Sequence, residues 1–212
     1  MRPIVKTWTA ANTTSIAQAQ TLVAAGNLVL NGPLRQPGYI TVNFLDFTRS
    51  ITLTSTANLS GINFTINGML NNSPLSEVLA GPNNNTVTSV NIYDSIVSIT
   101  ASAGFSPNTV SVGTGLTGRT HWINFDYDIL IPNYSTQVVV TNAINYTYNV
   151  TLDDPNIVAT PTVFAPIVAM TGATTSQFAS VNDPLNYINI TVNSAGATGS
   201  LVATFLFQGL AS

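Results

Sequence analysis

The segment Ile144-Asn-Tyr-Thr-Tyr-Asn-Val-Thr-Leu152 alternates large apolar and small polar side chains without a break. Side chains on a β-strand point to opposite faces at every step, so this order puts Ile144, Tyr146, Tyr148, Val150 and Leu152 on one face. Asn145, Thr147, Asn149 and Thr151 fall on the other. That is the signature of an antiparallel strand with one face on a core and one hydrated. The same period runs outward in both directions. Upstream, Ile51 and Leu53 alternate with Thr52 and Thr54, and Ile62, Phe64 and Ile66 alternate with Asn63, Thr65 and Asn67. Val90 and Ile92, Val97 and Ile99, and Val110 and Val112 continue it. Downstream, Ile188, Ile190 and Val192 precede Leu201, Ala203, Phe205 and Phe207, and the loop 194–199 between them is expected to close a hairpin. Turn clusters at 31–33, 71–74, 81–85, 103–107 and 153–155, rich in Gly, Pro, Asn and Asp, separate the runs. Strands at this spacing read as all-β, arranged as two small antiparallel β-sandwich domains, Ig-like or jelly-roll-like.

Two segments depart from the period of two. In residues 15–26, Ile16, Ala19, Leu22 and Val23 fall at helical spacing, with Gly26 as a stop. Residues 1–26 are therefore read as an irregular or partly helical N-terminal arm, placed to tie down on a neighbouring subunit. The Gly-rich run Gly113-Thr-Gly-Leu-Thr-Gly118 reads as a linker, which divides the rest into domains at 27–116 and 117–212.

Composition narrows the function. The 212 residues include five Lys or Arg and eight Asp or Glu, 6% in all, where a soluble domain ordinarily carries about a quarter. Asn, Thr and Ser fill the polar positions. Such a surface is hydrated by neutral groups, and burying it against protein requires little desolvation of ions. This points to a subunit of an assembly, with homo-oligomers among its forms. A mean hydropathy of +0.30 excludes disorder. The basic residues Arg2, Lys6, Arg35, Arg49 and Arg119 are scattered, which argues against a nucleic-acid partner. No basic amphipathic helix, apolar span or signal-peptide core is visible, so no membrane partner is expected and synthesis is expected in the cytoplasm. The absence of cysteine excludes disulfides, thiol nucleophiles and Cys-based zinc sites.

No constellation meets the needs of catalysis, and no catalytic, metal or cofactor residue is assigned. Asp126 and Asp128 would share one face of a strand, as paired carboxylates must to bind calcium or cleave glycosides. No further acid accompanies them in a calcium-loop spacing, and a strand with Phe125 and Tyr127 inward and the two acids in solvent explains them more simply. Asp153 and Asp154 precede Pro155 and read as turn residues. His121 is the one imidazole, with no nucleophile elbow to serve. The Gly113–Gly118 run matches a dinucleotide fingerprint by letters, but no helix follows it. Trp8, Trp122, Tyr127 and Tyr134 would stack on sugars if exposed, and otherwise belong to core or interface.

The stretch Ser50-ITLTSTANLSGINFTING, then LSEVLAGPNNNTVTSVNIYDSIVSITAS, then NTVSVGTG resembles a family of virion structural proteins of tailed bacteriophages. Its shared cadence is a TLTS and NLSG-x-x-FT strand pair, a GPN-x-NT turn and a closing VSVG strand. AQTLVAAGNLVLNG is similar to the family's opening, and INYTYNVTLDDP and VNSAGATGSLVATFLFQG to its C-terminal half. The neutral turn at 69–74 departs from the charged one common in the family. The resemblance implies a virion location and a head decoration (cement) subunit whose partners are a major capsid or tail protein. A tail or adaptor component and a carbohydrate-binding adhesin module are the alternatives. It transfers no active site.

Overall fold

The computed structural model describes all residues except 1–2, 38–40, 45, 125–132, 156, 158–160, 165–166, 182–185 and 209–212. The fold is all-β. In chain order the strands are β1 (Ile4–Trp8), β2 (Ala17–Gln20), β3 (Gly26–Asn27), β4 (Val42–Asn43), β5 (Phe47–Thr54) and β6 (Asn63–Leu70). Next come β7 (Ser73–Ala80), β8 (Thr86–Tyr93), β9 (Ser95–Ala101), β10 (Val110–Thr120) and β11 (Ile123–Asn124). The last are β12 (Asn133–Thr141), β13 (Ile144–Thr151), β14 (Gln177–Val181), β15 (Tyr187–Ala195) and β16 (Ser200–Gln208). A single 3₁₀ turn, Val168–Met170, is the one helical element among the described residues.

Two compact units result: Met1–Ala10 with Thr117–Ser212, and Ala11–Leu116. In the second, β2-β10-β5-β8 form one sheet, and β6 lies between β7 and β9 in the other, with β3 and β4 on the far edge of β9. Ile51 and Leu53 of β5 and Val110 and Val112 of β10 meet Phe64 and Ile66 of β6 and Ile96 and Ile99 of β9 in one core. All eight are fully buried. Phe105 closes its end, its ring 6.0 Å from that of Phe64.

In the other unit, β1-β16-β12-β14 make an antiparallel sheet. A second sheet sets β15 between β13 on one side and β11 with the end of β10 on the other. Trp8, Val138, Leu201 and Phe205 of the first sheet are buried, as are Tyr146, Tyr148, Ile188 and Ile190 of the second.

Four sequence expectations change. The segment 1–26 is no free arm. Residues 4–8 pair with β16 of the same chain from Ile4↔Phe205 to Trp8↔Leu201, and Trp8 is wholly buried. Residues from Ala11 belong to the other unit, where no helix forms. The Ile16 N–H donates to Val112 O at 3.0 Å and Ile16 O accepts from Gly32 N–H at 2.9 Å, so the residue leading into β2 is bonded to neighbouring segments on both sides. A helix this short is marginal alone, whereas the edge of β10 satisfies the same backbone groups within a sheet. The Gly113–Gly118 run is not a linker but part of the eleven-residue strand β10. Its glycines admit close neighbours: a Cβ on Gly113 would sit 1.9 Å from Asn12 O. The division between units falls inside this strand, after Leu116.

β15 and β16 do not form the expected hairpin. β15 pairs with β10, β11 and β13, and β16 with β1 and β12, so the loop between them arches from one sheet to the other. The two-residue link from β12 to β13 does the same. The two arches are bonded together by Gly196 N–H to Ala143 O at 2.7 Å and Asn142 Nδ2 to Thr198 O at 3.0 Å. The left-handed φ of 63° at Asn142 is one that Asn tolerates better than most residues.

Finally, Val90 and Val97 leave the inward faces assigned to them. Val90 is 91% exposed and Val97 44%. Each lies where the ladder shifts register, between Ser50 and Thr52 opposite β8 and between Asn67 and Gly68 opposite β9. An inserted residue reverses the alternation beyond it, so Ile96 and Ile99, three apart, both face the core.

Candidate interaction surface

The outward faces of the sheets carry the polar half of each alternation, and hydrogen bonds tie neighbouring side chains into rows. On the β7-β6-β9 face, Ser76 Oγ donates to Asn67 Oδ1 at 2.9 Å and Asn67 Nδ2 donates to Ser98 Oγ at 3.1 Å. Between β13 and β15, Asn149 Nδ2 donates to Asn189 Oδ1 and Thr191 Oγ1 at 3.0 and 2.9 Å, and this link lies inside, since Asn189 is buried. Asn193 Nδ2 donates there to Asn145 Oδ1 and Thr147 Oγ1 at 2.7 and 2.9 Å. These rows consist of Asn, Ser and Thr alone. The rows of Ser76, Asn67 and Ser98 and of Asn193, Asn145 and Thr147 present neutral donors and acceptors already fixed in place, which lowers the ordering cost of binding another polar protein surface.

The outward face of β1-β16-β12-β14 is more apolar. Val5, Val139, Val202 and Phe178 are 48, 42, 37 and 67% exposed. Cross-strand pairing brings them near one another, with Val139 opposite Val202 and Phe178 opposite Gln137. Thr7, Thr204 and Ser180 alternate with them. An apolar group rimmed by neutral polar ones, without an ion to desolvate, has the chemistry of a protein contact.

One carboxylate has a defined structural task. Glu77, on β7, accepts from the backbone N–H groups of Val90 at 2.8 Å and Asn91 at 3.0 Å, both on the bulge of β8. Tyr93 Oη also donates to it, at 3.3 Å. Burial, then the adjacent Glu77 charge, pushes the Tyr93 phenol well above the usual tyrosine range. Ser89 completes the bulge, its Oγ accepting from Ile51 N–H at 2.8 Å and donating to Asn91 O at 2.7 Å. Arg49, 4% exposed, donates from Nη2 to Gly115 O at 2.8 Å, and burial lowers its pKa to about 10. Both are structural groups within the sandwich of residues 11–116.

The residues singled out from sequence separate clearly. Asp126, Asp128 and Tyr127 lie outside the described residues, as does the side chain of Tyr134. Asp153 is a turn residue: Oδ2 accepts from Thr162 N–H at 2.6 Å, and its own N–H donates to Thr151 Oγ1 at 3.1 Å. Asp154 O accepts from Ile157 N–H at 3.0 Å. His121 and Trp122 are half-buried, while Trp8 has no exposed surface for a sugar. Among the described residues no group of three metal-ligating side chains occurs. None of their helices is long and apolar enough to cross a membrane. Beside the two arches lies an open cleft of about 290 Å³, lined by residues 143–145, 174 and 194–196, none of which titrates. Glu77 and the bulge of β8 escaped the sequence reading. An isolated acid within a neutral strand is a visible signal, but its partners are backbone groups of another strand.

No family model matches the chain, and no curated protein sequence does. Among solved structures, the chain is similar to the major capsid protein P2 from bacteriophage PM2, at 8% identity and a TM-score of 0.24 over 100% of this chain and 98% of that one. It is also similar to a structure of infectious bursal disease virus, Gx strain, at 13% identity and a TM-score of 0.24 over 99% of this chain and 71% of that one. Overlap at this level carries no functional argument, and the tailed-phage resemblance rests on the quoted motifs.

Proposed function

We propose that this chain is a structural subunit of a virus particle, in its most specific form a capsid decoration (cement) protein of a bacteriophage. The supporting observation is the neutral exterior of its sheets, where Ser76, Asn67 and Ser98, and Asn193, Asn145 and Thr147, are cross-linked to one another and Val5, Val139, Val202 and Phe178 stand exposed among uncharged residues. Such a subunit stays hydrated before assembly and buries these faces without desolvating ions. The reading involves no catalytic step and no cofactor. Its partners are other virion proteins and further copies of itself. A tail or adaptor position is the alternative within the same class. The adhesin alternative is weakened by Trp8, whose ring is enclosed.

Immunogold electron microscopy of a phage lysate, with antibodies raised against the chain, tests the proposal. Label over the heads is the expected result, and label at one pole or on tails moves the subunit to the tail. Bare particles overturn the virion reading.

A further inference from the structure

Trypsin-like proteases cut after Lys or Arg, whose cationic side chain fills an acidic S1 pocket, and they spare a bond to proline. The five basic residues of this chain offer five such bonds, and the fold treats them unequally. Arg2 is followed by Pro3. Lys6 is half-buried within β1, paired with Ala203 of β16 and two residues from the enclosed Trp8. Arg49 is 4% exposed and lies in β5 opposite Tyr93. Arg119 is half-buried in β10 opposite Thr191. Cleavage of a folded chain follows the population of its locally opened form. At Lys6, Arg49 and Arg119 that form requires a strand to leave its ladder, at a cost approaching that of global unfolding in the core strands.

Arg35 is placed differently. It lies in the connection from β3 to β4, and Arg35, Gln36 and Pro37 are all exposed. The Arg35 N–H donates to Gly32 O at 3.0 Å and its Nη1 to Leu30 O at 3.1 Å, bonds made within the connection itself, and an isolated bridge joins it to Val42. Leu34 is packed against the core but half-buried, and its N–H donates to Ser15 O at 3.0 Å. Opening this turn gives up a few local bonds and the partial burial of Leu34, and no strand leaves a sheet of regular ladders. Exposed loop tips of this kind are where folded chains are nicked.

We propose that Arg35–Gln36 is a proteolytic processing site, the one bond at which a trypsin-like protease nicks the folded chain. Hydrolysis adds one water across the peptide bond: the hydroxyl goes to the Arg35 carbonyl carbon, leaving a new carboxylate, and the hydrogen to the Gln36 nitrogen, leaving a new amino group. The nick does not release residues 1–35. β1 remains paired with β16, β2 with β10 and β3 with β9, while Ile16, Leu28 and Leu30 stay buried in the core of residues 11–116. The product is a two-piece protein held by its ladders, with two new termini at one loop. The inference is independent of the virion reading, since it follows from where the fold puts the basic residues.

The test is limited digestion of the native full chain with trypsin, read by intact mass spectrometry and by native size-exclusion chromatography. Two fragments are expected, residues 1–35 and 36–212, which elute together under native conditions and separate in denaturant. An Arg-specific protease is expected to give the same pair, and a Lys-specific one to leave the native chain whole. Arg35→Gln changes an exposed side chain, so its circular dichroism is expected to be unchanged. Under trypsin it is expected to keep the chain intact about 100-fold longer or more, because the remaining bonds wait on the opening of a ladder. A wild-type chain that outlasts trypsin as long as Arg35→Gln does, a first cut after any other residue, or fragments that part without denaturant overturns the proposal.

Discussion

Replacing Glu77 with Gln is expected to destabilise the unit formed by residues 11–116, although the two side chains are nearly isosteric. The carboxylate uses both oxygens as acceptors: Oε1 for Val90 N–H at 2.8 Å, and Oε2 for Asn91 N–H at 3.0 Å and Tyr93 Oη at 3.3 Å. A glutamine supplies one oxygen and one NH₂ group. Its best orientation keeps the oxygen toward Asn91 and Tyr93, and points NH₂ at a backbone N–H that also donates. Hydrogen bonds to a charged group contribute about 1.5–3 kcal/mol each. Here one of the three such bonds is lost and the other two become neutral. Val90 is 91% exposed, so water recovers part of the loss at its N–H. The expected net cost is about 2 kcal/mol, and about 3 kcal/mol for Glu77→Ala, which also gives up the bond to buried Tyr93. At about 2–4 °C per kcal/mol for a chain of this size, Glu77→Gln lowers Tm by roughly 4–8 °C. Urea unfolding followed by circular dichroism, with scanning calorimetry, measures both quantities. A Glu77→Gln protein as stable as the wild type would refute the reasoning, because it would mean that the carboxylate does not hold the bulge.

Gly68→Ala is expected to cost more than about 2 kcal/mol, because the new Cβ would lie 2.3 Å from Ser95 O, a backbone atom unable to yield cheaply; denaturant midpoints check this. Removing residues 1–10 deletes β1 and the enclosed Trp8, so β16 loses one of its two ladders and the unit containing residues 117–212 is expected to unfold more readily. Trp8→Ala alone should cost about 3–5 kcal/mol, and a truncated chain with unchanged calorimetric transitions would contradict the assignment. The phenols of Tyr93 and Tyr146 should titrate above those of exposed tyrosines, Tyr93 through burial and the Glu77 charge, Tyr146 through burial to about 12. Their neutral forms are favoured in the fold, so the stability they confer is intact below about pH 10, the unfolded tyrosine value. It is lost as the pH rises through the folded values. Absorbance of tyrosinate against pH, beside stability measured over the same range, tests the sign.

Period-two alternation marked the strands wherever the ladder is regular. β13 is the plainest case: Ile144, Tyr146, Tyr148 and Val150 are buried as the pattern requires. It misled at Val90 and Val97, because a bulge is a property of two strands together and leaves no mark on one of them. The failed hairpin between β15 and β16 has the same origin. A loop of glycine and small residues serves a hairpin or an arch equally well, and the choice is made by β1, β12 and β13, distant in sequence, which pair with these strands. The helical spacing in residues 15–26 was genuine but local, and the open edge of β10 outweighed it. Of the candidate surface, its neutrality was legible from composition. Which faces carry the Asn and Thr rows required the pairing.

The scarcity of charge and the construction of the edges are linked. A β protein ordinarily discourages edge-to-edge association with lysines and other ions on its outermost strands. With one lysine and four arginines in 212 residues, this chain has few to spend. Its protection is geometric instead: a bulge in β8 closed by Glu77 and Ser89, a proline on β7, and the backbone of Phe164 and Ala173 laid against β13. Geometric protection acts one edge at a time, whereas dispersed charge protects every edge at once.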